Sequence, residues 1–242
     1  MIDLHSHILP GMDDGARDIE NALHMAALAT QSGVSAMVVT PHCDSDRVAL
    51  IRERLDWLRT AVDEEGIPLR LYEGMEIFGG PDTAELLRKG KLLTINGSRY
   101  PLIEFSFNTD GDDETAVLHS VLQAGYTPLV AHPERYRCIQ EDPELVNLWA
   151  QMGCKFQINR GSLMGRFGPE AMDVAWALTA RGFATVVASD AHSPTRRTPW
   201  MRDAWEILKQ QISPSAAKWL LVENPRRIIN DERLSSAEPE WF

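Results

Sequence analysis

Ile2-Asp3-Leu4-His5-Ser6-His7 is an apolar, strand-like run that ends in two imidazoles, and six more runs along the chain end in a comparable way. They close at His42, Glu76, Glu104, His132, Arg160 and Asp190-Ala191-His192, each followed by a turn and a helix-like stretch. One histidine or carboxylate at a strand end means little. A repeated order of strand, ligand-type residue and helix brings many such residues to one rim, as in a (β/α) barrel.

The pattern between these points supports that reading. Asp18 is placed to cap a helix running to about Ser32, with Gly33 as its stop. Strands are expected at 2–5, 34–40, 69–76, 100–105, 127–131, 154–159 and 183–188, and Lys91–Asn96 reads as an added strand before a turn at Asn96-Gly97. Helices are expected at about 47–65, 82–90, 113–123, 142–152, 169–181, 199–211, 214–222 and 225–230, with a frayed tail at 235–242. Seven core βα steps fit a distorted (β/α)7 barrel of one domain, residues 1–242, better than an open sheet, whose ligands gather at one switch point.

The chain has 242 residues, 24 basic and 35 acidic, for a net charge of −11. That balance argues against nucleic-acid binding, a nuclease included. An anionic substrate therefore requires local positive charge, from bound cations and a few arginines. The opening MIDLHSHILP reads as no signal peptide, and no apolar stretch is long enough to span a membrane. Three widely spaced cysteines (Cys43, Cys138, Cys154) without a CxxC suit the cytoplasm.

His5-x-His7 on a strand places both rings on one face, and Asp190-x-His192 repeats the spacing. With His42 and His132 at strand ends, the set is imidazole and carboxylate without thiolate. That set suits manganese, iron or zinc, and magnesium fits less well with so many histidines. There are more ligands than one ion uses, so two or three ions sharing carboxylates are expected, activating water and clamping phosphoryl oxygens. Arg135, three residues past His132, and Arg196-Arg197, shortly after His192, offer forked donors for phosphate. Glu134 reads equally as an anchor for Arg135 or as a solvated carboxylate.

Other features read as structural. His24 and His119 are expected to be partly buried helix residues, Asp110–Glu114 a solvated helix start, Cys43 structural, and Trp176, Trp205 and Trp219 helix packing. Cys154 and Arg160 match the C-x5-R spacing of cysteine phosphatases, but the intervening KFQIN is strand-like and lacks the glycines of an anion-cradling loop.

The motifs HSHILPGMDDGA, TPHC, GMEI, LIEF, AHPERY and SDAH, from His5 to about Arg197, resemble the PHP family of metal-dependent phosphoesterases. More narrowly they are similar to its bacterial protein-tyrosine phosphatase branch, associated with capsule and exopolysaccharide synthesis. The resemblance implies a trinuclear site: one ion on His5, His7, Glu76 and Asp190, a second on Asp14, His42 and His192, a third on Glu104 and His132, with Glu76 bridging. It implies phosphoryl binding by Arg135 and Arg197. Either Asp13 or Asp14 of the motif fits the ligand position, and either Arg196 or Arg197 fits the arginine position. The implied substrate is phosphotyrosine on a membrane-associated bacterial tyrosine autokinase that controls polysaccharide export. Two readings compete: a phosphatase for a small metabolite such as histidinol phosphate, and a non-enzymatic regulatory module with a vestigial site.

Overall fold

The computed structural model describes residues 1–42, 45–234 and 239–242. Its strands are short and parallel, and they pair in chain order within two sheets. β1 (Ile2–Asp3), β2 (Ala36–Val38) and β3 (Arg70–Tyr72) form one sheet. β4 (Glu76–Phe78), β5 (Leu102–Glu104), β6 (Leu129–Ala131), β7 (Lys155–Asn159) and β8 (Ala184–Ala188) form the other. Single parallel bridges, Ser6 to Ala191 and His42 to Glu76, tie the sheets together at both seams.

Helices follow the strands. They are α1 (Ile19–Gln31), α2 (Val48–Glu64), α3 (Thr83–Arg88), α4 (Asp112–Gln123), α5 (Arg137–Glu141) and α6 (Leu145–Met152). Then come α7 (Arg160–Leu163), α8 (Pro169–Ala180), α9 (Arg202–Gln211), α10 (Pro214–Lys218) and, after a π-helical turn, α11 (Asn224–Ile229). Asp18 caps α1 by accepting from the Asn21 N–H at 2.8 Å, and Gly33 ends it at φ 95°. On α2 the residues Ile51, Leu55, Leu58 and Val62 recur at helical spacing and are all buried. β8 is buried at every position, as a parallel strand covered on both faces must be. The larger core lies between strands and helices. A smaller one draws Leu4, Val38, Leu102, Leu129, Ala131 and Val186 from beside or within five strands.

Several expectations need correction. The run 69–76 is not one strand: β3 ends at Tyr72, β4 begins at Glu76, and the two belong to different sheets. Gly74 sits in the break, where an added Cβ would meet Val38 Cγ1 at 2.7 Å. The chain thus changes sheets at a close approach, and Glu76 opens a strand rather than closing one. Lys91–Asn96 forms no strand; the turn is there, with Asn96 at φ 49°, but Asn96 N–H is spent on the Glu73 carbonyl at 2.8 Å. The helix expected from Asp142 starts at Leu145, behind the short α5. Trp176 and Trp205 pack on the core, whereas Trp219 is 42% exposed.

Of the tail expected to fray, residues 235–238 lie outside the described residues, as does Cys43. Phe242 is docked: its ring stacks on Phe183 at 5.5 Å, and its N–H donates to Asn147 Oδ1 at 3.2 Å. No described helix is long and apolar enough to cross a membrane.

Gly15 sets the most local constraint on the site. An added Cβ there would fall 2.0 Å from the His7 carbonyl oxygen and 2.5 Å from His7 Cβ. Gly15→Ala is expected to lose more stability than Asp18→Ala. The latter removes only a helix cap and should cost about 1 kcal/mol. The former forces backbone apart beside His7, an overpacking cost of about 1–3 kcal/mol or more. Thermal denaturation of the two variants checks the order; equal melting temperatures would contradict it.

Candidate metal centre

The His5-Ser6-His7 segment is pinned before its rings are placed. Ser6 N–H donates to Thr40 Oγ1 at 2.9 Å, and Ser6 Oγ–H donates to the Val38 carbonyl at 2.8 Å. Both rings point inward and are fully buried, with the two Nε2 atoms 3.2 Å apart. Each outer nitrogen has its own partner. Gln157 Oε1 accepts from His5 Nδ1 at 2.8 Å, and Asp13 Oδ2 accepts from His7 Nδ1 at 2.7 Å. This arrangement fixes the tautomer that leaves Nε2 free for a cation.

Glu76 occupies the middle. Its Oε2 lies 3.0 Å from His5 Nε2, 3.1 Å from His7 Nε2 and 3.4 Å from His42 Nδ1, and its Oε1 lies 2.9 Å from His132 Nε2. Asp190 Oδ1 is 3.5 Å from His5, His7 and His192 nitrogens and has no hydrogen-bond partner despite burial. Glu104 stands 3.0 Å from His42 Nδ1, and Asp14 Oδ1 stands 3.4 Å from His192 Nε2. His132 and Asp190 reach these positions with left-handed backbone, at φ 35° and 50°. Such conformations cost on the order of 1–3 kcal/mol each and gather at functional sites.

All nine expected ligand positions fall into four overlapping groups. They are His7, Asp14, His42 and His192; His5, His7 and Asp190; His5, Glu76 and His132; and His42, Glu76 and Glu104. Within each group the candidate ligand atoms lie within 4.8 Å of one another. Nitrogen and oxygen donors crowd a common space, and one carboxylate oxygen buried among them has no partner. These residues fit divalent cations. Between the two motif aspartates, Asp14 is the one placed in a group. Asp13 stands behind the rings, also accepting from the backbone N–H groups of His42 and Gly15 at 2.8 and 2.9 Å.

The electrostatics of the cluster call for positive charge. Burial opposes a proton on His7, but the hydrogen bonds and charges of Asp13 and Glu76 outweigh it and carry the pKa up to about 10. His5 and His42 are also raised against burial, by Glu76 with Asp190 and by Glu104 with Glu76 respectively. Burial would raise Glu76 and Asp190, yet the surrounding imidazoles, and for Asp190 also Arg197, hold both well below the usual carboxylate range. His192 differs: burial, then the charge on His7, bring it down to about 4. On all three raised rings the surrounding carboxylates favour positive charge at the place where cations fit.

Both arginines reach the cluster through Asp190. Arg135 Nη1 lies 3.4 Å from Asp190 Oδ2, and Arg197 Nη2 donates to the same oxygen. Arg196 is exposed, and its carbonyl accepts from Arg166, so Arg197 is the arginine facing the site. Arg160 does not join the cluster. It is buried against Asp203, donating from Nε at 2.7 Å, and donates to the Thr198 carbonyl at 3.2 Å, which braces the loop carrying Arg197. Cys154 and Arg160 stand at opposite ends of β7, and burial pushes the thiol up to about 12, so the C-x5-R spacing builds no nucleophile.

Glu134 is neither solvated nor paired with Arg135. It is buried and accepts from Asn159 N–H at 2.9 Å and from Ser162 Oγ–H at 2.6 Å. His24 and His119 are helix residues but exposed, not partly buried. Asp110–Glu114 does open a helix, α4, and Glu114 closes a cap by accepting from Gly111 N–H at 3.2 Å.

Sequence reasoning missed the support from β7. Gln157 holds His5 and donates to Asn159 Oδ1 at 2.8 Å, and Asn159 Nδ2–H donates to Asp190 Oδ2 at 2.7 Å. The available signal was two amides at alternate positions of one strand, Gln157 and Asn159.

The raised histidines predict a pH signature for metal-free protein. A proton bound more tightly when folded stabilises fully below the unfolded pKa of 6.5 and is lost towards the folded value, about 10 for His7. The depressed His192 and carboxylates act only below this window. The melting temperature of chelated protein should therefore fall between about pH 7 and 9.5. Metal-loaded protein should not follow, because ions displace those protons and bind better as pH rises. A chelated protein whose melting temperature is flat or rising over that range would contradict this.

Residues 1–230 match the protein family described as Capsular polysaccharide synthesis, CpsB/CapC. The tyrosine-protein phosphatase YwqE of Bacillus subtilis is 33% identical over 244 residues, covering 99% of this chain and 96% of YwqE. The tyrosine-protein phosphatase CpsB of Streptococcus pneumoniae is 33% identical over 241 residues, covering 96% and 99%. One solved structure comes from the pair YwqE of Bacillus subtilis and CpsB of Streptococcus pneumoniae, described as unique metal-dependent tyrosine phosphatases. It superposes with a TM-score of 0.94 at 32% identity, covering 100% of this chain and 99% of its own. Sharing its whole length with these proteins, the chain belongs to the CpsB/CapC family of capsular polysaccharide synthesis.

Proposed function

We propose that this chain is a metal-dependent protein-tyrosine phosphatase. Its substrate is phosphotyrosine on a membrane-associated tyrosine autokinase that controls capsular or exopolysaccharide synthesis, and it works in the cytoplasm. The observation that carries the reading is the meeting of Arg135 and Arg197 with Asp190, a member of the imidazole–carboxylate cluster. Donors suited to an anion and acceptors suited to cations share one carboxylate. The named activity of the relatives agrees with that chemistry.

Three ions are proposed, manganese in preference to iron or zinc. His5, His7, Glu76 and Asp190 would hold the first, Asp14, His42 and His192 the second, and Glu104 and His132 the third, with Glu76 shared. When bound, such cations supply Lewis acidity towards phosphoryl oxygens and make water a stronger nucleophile near neutral pH. The protein's own part is to orient. Gln157 and Asp13 fix the rings, and Arg135 and Arg197 present planar donors that strengthen as charge builds on the phosphoryl oxygens. The framework is a distorted (β/α)7 barrel. Its support is the pair of bridges joining the sheets and the small core drawn from strands of both. Nine ligand positions held together favour a working site over a vestigial one.

Arg135→Ala and Arg197→Ala should each keep their metal and lose kcat/KM on a phosphotyrosine peptide. One such donor is worth on the order of 3 kcal/mol, or roughly a hundredfold. Lysine should restore part of the rate, and Arg196→Ala should be mild. Chelation should abolish turnover, and Cys154→Ser should keep most of it. Unchanged turnover in both Arg135→Ala and Arg197→Ala would remove the arginine clamp. Total loss in Cys154→Ser, with fold and metal content normal, would contradict the metal-based reading.

A further inference from the structure

The guanidinium of Arg135 lies over two phenyl rings. Its guanidinium carbon lies 4.2 Å from the ring centre of Phe107 and 4.3 Å from that of Phe167. Phe167 also lies 5.7 Å from the guanidinium of Arg197. The stack is built in. Gly161 leaves the room for Phe167, since a Cβ there would meet its Cε2 at 2.6 Å. Phe107 is fixed by its carbonyl, which accepts from Arg137 N–H at 2.8 Å. One of the Arg135 N–H donors points at Asp190.

The two rings differ in what else they meet. Phe107 sits 5.7 Å from the His132 ring, beside the cluster, yet is 42% exposed. Arg135, His132 and the Tyr136 ring, 6.4 Å away, cover only part of Phe107, and the rest of the ring is open to solvent at the edge of a charged site. Its stacked face serves Arg135, and its remaining surface is free beside the place where a phosphate would bind.

We infer that Phe107 is the specificity residue for the aromatic part of the substrate: its free surface packs against the ring of an aryl phosphate whose phosphoryl group is held by Arg135. The inference rests on the phosphatase reading above and adds the residue that selects aryl over alkyl phosphates. An aromatic pair contributes roughly 0.5–1.5 kcal/mol, so the preference should be roughly three- to tenfold.

The test is calorimetric titration of the metal-loaded protein with phenylphosphonate and with methylphosphonate, which share a head group and do not turn over. Wild type should bind the phenyl compound roughly three- to tenfold more tightly. Phe107→Leu keeps apolar bulk against Arg135 but has no ring, and should bring the ratio close to one; Phe107→Trp should keep it. Phe78→Ala removes the other strongly exposed phenylalanine near the rim, 66% exposed on β4, and should keep the wild-type ratio. Metal content and melting temperature are measured for each variant. A wild-type ratio of one, an unchanged ratio in Phe107→Leu, or a ratio lost in Phe78→Ala instead would each overturn the inference. Turnover of a phosphotyrosine peptide by wild type is measured alongside. A phenyl preference without turnover sinks the phosphatase reading, and turnover without the preference sinks only the role of Phe107.

Discussion

A single buried carboxylate, Glu76, lies within 3.4 Å of nitrogens from His5, His7, His42 and His132. An ion this buried costs several kcal/mol unless it is compensated. Compensation comes from β1, β2 and β6, whose ends must therefore meet above β4. The strand-end geometry, the bridge from His42 to Glu76 and the left-handed turn at His132 all serve that meeting. The charge on Glu76 helps to raise His5, His7 and His42 against the effect of burial, so the cluster favours positive charge, from protons or from cations.

Around this centre the labour is divided by element. The ends of β1, β2, β5, β6 and β8 lie next to ligand-type side chains, and β4 opens on one. β7 brings none to the groups, yet its Gln157 and Asn159 hold His5 on one side and Asp190 on the other. The turn after β6 carries a ligand-type residue, a buried anchor and an arginine in succession as His132, Glu134 and Arg135. Arg160 at the end of β7 supports the backbone beside Arg197 from beneath. Binding groups and their supports thus lie on the same strand ends, and a change at one reaches the others through one or two hydrogen bonds.

Much of this was legible before any coordinates. His5-x-His7 and Asp190-x-His192 announce themselves because strand periodicity puts alternate residues on one face. Strand–helix alternation placed nearly every element within a few residues. What was not legible depends on contacts between distant segments. The run 69–78 mixes apolar and charged residues in the same way on both sides of Gly74, and one glycine does not by itself say that the chain changes sheets there. Arg160 ends a strand as a ligand would, and only the approach of Asp203 shows that it is spent elsewhere. Gln157, Asn159 and Asp13 act through neighbours, and a supporting amide carries no spacing rule of its own. Phe107 and Phe167 are far apart in sequence and meet only across Arg135.

The most direct test of the Glu76-centred cluster is metal analysis of Glu76→Gln beside wild type, after anaerobic purification, with phosphotyrosine turnover measured on the same samples. The amide keeps the size of the side chain and removes the charge that four imidazoles surround. Wild type should carry two or three divalent ions per chain. Glu76→Gln should lose at least one of them, together with nearly all turnover, while remaining folded. A folded Glu76→Gln protein with full metal content and wild-type turnover would contradict the account at its centre.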